Sequence, residues 1–463
     1  MHYSTANEDS RLSFWLRVRK FAVPPSMIDS ATACRVTGDW AGACAAAHVD
    51  VDLNLRSAAR AHGGELAARV RADLRHLAPD LLRWHIPRVA PDGLMRPGLT
   101  VSLARYHGDG GTVHLVARTP PAWADAGQRI SLALWDGTRS GIGSHPHPRP
   151  HRRFRLDLHR HLWDVRRVGE LRVRSGADLT PDDRRSAAGL GHDCAVDRWA
   201  DEAWMLLREE GRAGGAVAVR LGGRRQLVLD LAADGAASGR PAVRITTASA
   251  RGGGSALPVL PDAATWVLPD LALLRAGLIE ADRLHPLVVP ALGPGHPPVS
   301  AAPAGHPPVG AVRSPGSGDG TRLVECRGAQ HRIGFVDGVL VPLDHDPAEI
   351  RREELLAALT GAPLPCLQAI GEAHRDPGCL DDVRARLDHG DAAGALAAVE
   401  GLLGPGAALP SGALRDELET AARRRIAHGL FRAELSEVGR GPAARPGPRT
   451  RGNRAHPRHA KSR

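Results

Sequence analysis

The stretch 330-QHRIGFVDGVLVPLDHDPAEIRREELLAAL-359 sets two apolar runs, Arg332 to Val336 and Val339 to Leu343, on either side of Asp337-Gly338. That pair supplies the positive φ angles of a two-residue type I′ turn, so the segment reads as a β-hairpin. Directly after the second run, Asp346-Pro347-Ala348-Glu349 offers a carboxylate N-cap, a proline at the first helical position and a glutamate in the first turn. The helix that follows is expected to bury Leu355, Leu356 and Leu359 and to stop at Gly361, with Pro363 blocking its continuation. The same stretch concentrates His331, Asp337, Asp344, His345, Asp346, Glu349, Glu353 and Glu354, groups that bind metals or move protons. Local rules account for them without chemistry. Asp346 is a cap, and Asp344 and His345, as neighbours, point to opposite faces of an extended chain.

Upstream, periodicity changes twice. Residues 27–96 read as helical: Met27 to Thr37, a short helix Trp40 to His48, and Leu66 to Leu77, where Leu66, Val70, Leu74 and Leu77 share one side. From 97 the period becomes two, in Leu99 to Tyr106, Thr112 to Arg118 and Arg129 to Trp135, the signature of antiparallel strands. A helix, Cys194 to Glu210, interrupts before strands resume at Ala216 to Leu221, Gln226 to Leu231 and Ala242 to Thr247. Short proline-broken helices fill Trp266 to Leu292. The fold class is therefore α+β: a helical N-terminal segment, a β-rich middle with one interposed helix, and a mostly helical C-terminal domain preceded by the hairpin. The expected domains are 1–26, a leader that need not be ordered, with Met27 an equally good natural start; 27–96, helical; 97–292, α+β; 293–320, a Pro/Gly-rich linker in which GHPPV occurs twice; 321–439, hairpin plus helices near 364–374, 378–388, 391–403 and 413–435; and 440–463, a disordered basic tail.

Gly38-Asp39-Trp40-Ala41-Gly42-Ala43 and Gly390-Asp391-Ala392-Ala393-Gly394-Ala395 echo one another, each placing Gly-Asp between two helices. Over about 25 residues each resembles the helical hairpin of tetratricopeptide-type proteins; no 34-residue period links the two and the family's aromatic positions are not matched. The resemblance implies no binding residues.

Composition excludes several classes. The net charge of +10 is concentrated at the end: Arg440, Arg445, Arg449, Arg451, Arg454, Arg458, Lys461 and Arg463 face no acid between 440 and 463. Residues 1–26 carry a further +2, so 27–439 is neutral. Lysine occurs only at 20 and 461, so arginine richness fits a GC-rich bacterial coding bias. Six dispersed cysteines without a C-x-x-C pair argue against a structural zinc framework and against a disulfide scaffold. No signal peptide and no span of about 18 to 20 apolar residues is read, so a cytoplasmic location without a membrane span is expected. Walker A, dinucleotide-binding, G-x-S-x-G and H-E-x-x-H motifs are absent.

Two patterns carry chemistry. In 154-FRLDLHRHLW-163, a strand would put Asp157, His159 and His161 on one face, a geometry suited to a divalent transition metal such as zinc, with His145, His147 or His151 completing the shell. The overlapping 149-RPHRRFRLDLHRH-161 is a basic patch around Phe154, suited to phosphate. The tail, with Arg445, Arg449, Arg451, Arg454, Arg458, Lys461 and Arg463, is expected to hold polyanions, nucleic acid included, weakly and without sequence preference. The leading expectation is a non-enzymatic cytoplasmic interaction or scaffold protein without a cofactor and with an unidentified protein partner. The alternative is a metal-dependent hydrolase built on Asp157, His159 and His161, with Asp344 and His345 as further candidates.

Overall fold

A computed structural model describes residues 3–108, 111–125, 127–137, 145–179, 194–221, 225–232, 243–247, 257–293, 322–326, 328–336, 339–360, 364–375, 380–403 and 412–435. The fold is α+β. It begins with α1 (Tyr3–Phe21), α2 (Pro25–Val36) and α3 (Trp40–Ala46), then β1 (Val49–Val51) and helices α4 (Leu55–His62), α5 (Gly64–His76) and α6 (Pro79–His85). A small pair, β2 (Arg88–Val89) and β3 (Leu94–Met95), leads into the meander β4 (Thr100–Gly108), β5 (Gly111–Arg118) and β6 (Ile130–Trp135). The meander is antiparallel, as its period of two requires, and β1 adds to β6 in parallel to give the order β1-β6-β5-β4. Leu66, Val70, Leu74 and Leu77 are all buried, and α5 and α6 share a core with Val101, Leu103, Leu115, Ile130 and Leu132 of the sheet.

The segment expected as a leader contributes to the fold. Residues 3–21 are helical, and Val18, Phe21, Ala22 and Val23 are buried, with Val18, Ala22 and Val23 in the main core. Phe14, Val18 and Phe21 recur at spacings of four and three, so burial of one helical face, not the polarity of the first ten residues, decides the outcome. The strand expectation for 154–163 is corrected. Leu158, His159, Leu162 and Trp163 each donate their N–H to the carbonyl three residues back, and Arg160–Leu162 is a 3-10 turn. Among the described residues Arg155 alone of this segment forms a β-bridge to a strand, at Ser102, so apolar alternation here marks successive turns rather than an extended edge.

A second, smaller core forms around α8 (Val196–Glu209), which follows α7 (Leu171–Ser175). Trp199, Ala203, Leu206 and Leu207 of α8 pack on β7 (Gly215–Arg220) and β8 (Gln226–Leu231), and β9 (Val243–Thr247) completes an antiparallel sheet. α9 (Asp262–Thr265) still packs on this second core through Ala264, and the chain returns to the main core through α10 (Pro269–Arg275) and α11 (Val289–Leu292).

The C-terminal hairpin is found in the expected register. Strands β10 (Arg322–Cys326), β11 (Ala329–Val336) and β12 (Val339–Pro342) are antiparallel, and Val336 pairs with Val339. Asp337 and Gly338 themselves, the expected linker from 294 on, and the basic tail lie outside the described residues. Asp346 Oδ1 accepts the Ala348 N–H at 2.7 Å and caps α12 (Pro347–Thr360). Contrary to the sequence reading, Leu355 and Leu359 of α12 are 68% and 86% exposed, because the core beneath the hairpin is filled by α13 (Pro365–Arg375) instead.

The last helices, α14 (Leu380–His389), α15 (Ala392–Leu403) and α16 (Ala413–Arg432), dock on the N-terminal half. The His389 carbonyl accepts from Arg83, and His428 Nδ1 lies 2.9 Å from the Ala124 carbonyl. At the docking point Gly390 has φ +90°, and a Cβ there would come within 2.2 Å of the Gly127 carbonyl oxygen, so both conformation and contact require glycine. The echoed motifs are two capped helix pairs, with Asp39 accepting from Gly42 N–H at 2.8 Å and Asp391 from Gly394 N–H at 2.9 Å. Among the described residues no helix is long and apolar enough to cross a membrane.

Candidate ligand-binding cavity

Where the two larger cores meet, a cavity of about 710 Å³ opens. Junctions of this kind are where ligand sites concentrate, because neither core alone closes the gap. Helix α1 supplies Arg11, Trp15 and Arg19 at intervals of four, one helical face. Trp84 and His85 come from the end of α6, Arg153 to Leu156 from the turns that follow the meander, His161 from the 3-10 turn, and Trp266 from the end of α9.

The charge on this wall is one-sided. Among the described residues that line it, Arg11, Arg19, Arg88, Arg96, Arg153, Arg155, Arg174 and Arg225 face a single carboxylate, that of Asp262. The region from 27 to 439 is neutral as a whole, so this is a local concentration rather than the general composition. Acids behind the wall fix the guanidinium groups. Arg19 donates to both oxygens of Asp270 at 2.8 and 2.7 Å and to the Trp84 carbonyl at 2.8 Å, and its guanidinium lies 4.4 Å from the Trp84 ring centroid. Trp84 Nε1 donates to the same carboxylate at 3.0 Å. Burial pushes the Asp270 carboxyl up, but the Arg19 charge and the hydrogen bonds from Arg19 and Trp84 outweigh it and hold it below the ordinary range. Arg153 forks onto Asp262 with two 2.9 Å bonds, and Arg174 forks onto Glu202 at 2.5 and 2.7 Å. A guanidinium has five N–H groups, so a two- or three-bond fork leaves donors over for a ligand.

Two arginines on the wall have no carboxylate within 4 Å among the described residues. Arg96 lies over Phe154, 5.9 Å from its centroid. Arg88 donates to the carbonyls of Gly93 and Arg83, and among the described residues its buried Nε has no hydrogen-bond partner. Between the arginines stand two imidazoles. Burial, with Arg19 and His285 nearby, holds His85 down at about 3 against the opposing pull of Asp270. Burial, then His159 and Arg174, pushes His161 well below its ordinary value. Both are neutral at neutral pH, and among the described residues His85 Nε2 and His161 Nδ1 are buried without a hydrogen-bond partner. A polar group so placed costs about 1 to 3 kcal/mol, which a ligand offering the complementary group would offset.

The sequence-derived metal set does not assemble as a strand face. Asp157 is forked by Arg155 at 3.0 and 2.7 Å, while His159 Nε2 sits 3.1 Å from Glu202. Burial raises the Glu202 carboxyl, yet His159 and Arg174 overcome this and hold it at about 2. His161 packs edge-on to His159 at 5.7 Å and reaches the cavity wall. Of the flanking histidines, His145 Nε2 meets the Thr119 carbonyl and His151 Nδ1 the Arg153 N–H, while His147 is held through its backbone, its carbonyl accepting from Thr100 Oγ1 and its N–H donating to His145 Nδ1 at 3.3 Å. From the basic patch, Arg153, Phe154 and Arg155 do enter the cavity. The tail cations lie outside the described residues.

Trp15, Arg19, Arg88 and Arg96 were not singled out from the sequence. The available signal was the i, i+4, i+8 series Arg11, Trp15, Arg19 in a chain with only 3% aromatic residues. No family model, no curated protein and no solved structure matches the chain.

Proposed function

We propose that this chain is a non-enzymatic binding protein whose cavity holds a phosphate-bearing ligand with a flat aromatic group, of the nucleoside phosphate class. The observation that carries this reading is the wall itself, eight arginines against one carboxylate, interleaved with Trp15, Trp84 and Trp266. Guanidinium forks match phosphate oxygens in geometry, and indole rings stack on a base. The two neutral histidines add hydrogen bonds without adding charge, which suits a ligand that carries both an anion and neutral polar edges. The basic tail and a cytoplasmic setting belong to the same proposal: the tail gathers polyanions loosely, and the cavity selects.

Tryptophan fluorescence on titration with pyrophosphate, nucleoside monophosphates and the matching nucleosides tests it. Saturable quenching by the phosphates, at least ~10-fold weaker for the nucleosides, is expected, a difference of about 1.4 kcal/mol. Arg88→Gln with Arg96→Gln should weaken phosphate binding while truncation after Gly439 leaves it unchanged. Absence of saturation below millimolar ligand in the folded protein would sink the binding claim, and steady conversion of a bound nucleotide would sink the non-enzymatic one.

A further inference from the structure

The hairpin that opens the C-terminal region carries a second site. Cys326 pairs with Ala329 across the β10–β11 turn, and Val324 pairs with His331. Cross-strand partners and residues two apart share a face, so Val324, Cys326, His331 and Ile333 all lie on one side of the hairpin. Helix α13 covers that side, bringing Leu364, Cys366 and Ala369 against Cys326 and Ile333. His345, three residues past the end of β12, swings in from the loop, its side chain only 3% exposed. One ligand atom from each of Cys326, His331, His345 and Cys366 lies within 4.8 Å of all the others.

We propose that Cys326, His331, His345 and Cys366 form a structural zinc site. Two thiolate sulfurs and two imidazole nitrogens are the donor set that a tetrahedral Zn²⁺ prefers over the oxygen-seeking cations. Ligands at about 2.3 Å for sulfur and about 2.0 to 2.1 Å for nitrogen stand roughly 3.3 to 3.8 Å from one another, so the observed cluster closes around an ion with small movements. His331 Nδ1 and His345 Nε2, at 2.7 Å, would part by about half an ångström. The outer atoms are arranged for the same purpose. His345 Nδ1 lies 3.6 Å from the carboxylate of Glu349, the carboxylate–histidine pairing that orients an imidazole toward a metal. Asp344, beside His345, grips the Arg332 N–H at 2.6 Å and its guanidinium at 2.7 Å, tying the loop to the strand that bears His331. Among the described residues the buried apolar neighbours are Ile333, Leu364 and Ala369, so the ion would tie the hairpin to α13 across them. Four protein ligands leave no open position, so the site is structural and not hydrolytic.

Elemental analysis of untagged full-length protein from zinc-supplemented cells should find close to one zinc per chain. Exchange with Co²⁺ should give the visible bands of a tetrahedral ion together with thiolate charge-transfer absorption, which a surface histidine site would not show. Cys366→Ser and His331→Ala should lower the metal content, while Cys34→Ser should leave it intact. The wild-type spectrum decides the matter if a ligand variant fails to fold. Less than about 0.1 equivalent of metal with no cobalt uptake by the reduced protein, or a Cys326–Cys366 disulfide in the protein as purified, would overturn the proposal.

Discussion

Replacing Arg83 by methionine tests how the C-terminal helices are held. The side chain is completely buried, and burial lowers its pKa only to about 10, so it stays charged at neutral pH. No carboxylate lies within 4 Å among the described residues; backbone carbonyls compensate the charge instead. Nε donates to Ala22 at 2.9 Å, Nη1 to Gln128, and Nη2 to His389 at 2.6 Å with a longer contact to Gly127 at 3.4 Å. Three segments far apart in sequence thus meet on one guanidinium. Each bond from a charged donor is worth about 1.5 to 3 kcal/mol, and methionine leaves four carbonyls without it, that of Gly127 losing the weakest contact. Relief of the buried charge returns part of the loss, which leaves a net destabilisation of about 3 to 5 kcal/mol. Arg83→Lys, with no planar fork, should fall between. Urea denaturation followed by circular dichroism reads the total, and hydrogen exchange on α14 should rise selectively. A methionine variant within about 1 kcal/mol of wild type would refute the view that this guanidinium organises the junction.

Acid should weaken the fold through its buried histidines. His48 and His114 are held at about 4, and His85 and His389 at about 3, chiefly by burial. The unfolded chain, with histidines near 6.5, binds more protons below that pH, so stability is complete above about 6.5 and is lost progressively toward 3 to 4. A urea midpoint unchanged between pH 7.5 and 5 would contradict this. The two echoed caps should respond differently to alanine. At Gly42 an added Cβ would lie 2.1 Å from a carboxylate oxygen of Asp39, an exposed side chain that swings away; the lost cap and the gained helix propensity then roughly cancel. At Gly394 the same 2.1 Å clash meets Asp391, buried and bonded to Arg386 at 2.8 Å, so Gly394→Ala should cost about 1 to 2 kcal/mol more than Gly42→Ala by thermal or urea unfolding.

What was legible in the sequence followed from local rules. The alternation in 97–247 located β4 to β9 to within a residue or two, and the hairpin and its Asp346 cap followed from turn and capping chemistry alone. Strand β1, three residues long and parallel to β6, has no periodicity to reveal it. Order in 3–21 was not legible because the polar start outweighs the Phe14, Val18, Phe21 stripe, and the turns of 154–163 were not because alternation cannot by itself distinguish a strand from a run of turns. The zinc ligands were hidden by spacing: Cys326, His331, His345 and Cys366 stand 5, 14 and 21 positions apart, outside any C-x-x-C pattern, and converge only because a sheet register and a covering helix bring them together. The cavity was hidden in the same way, since its arginines are scattered from Arg11 to Arg225 in a chain where arginine is common.

The most direct measurement is the location of a bound anion. Crystals of the full chain soaked in tungstate, a phosphate mimic, and measured at the tungsten absorption edge would place the ion by its anomalous signal. A peak inside the cavity, within hydrogen-bonding distance of Arg88 or Arg96 and of His85 or His161, is the expected result. Tungstate bound elsewhere on the protein with the cavity unoccupied would contradict the assignment of this arginine-lined chamber as the ligand site.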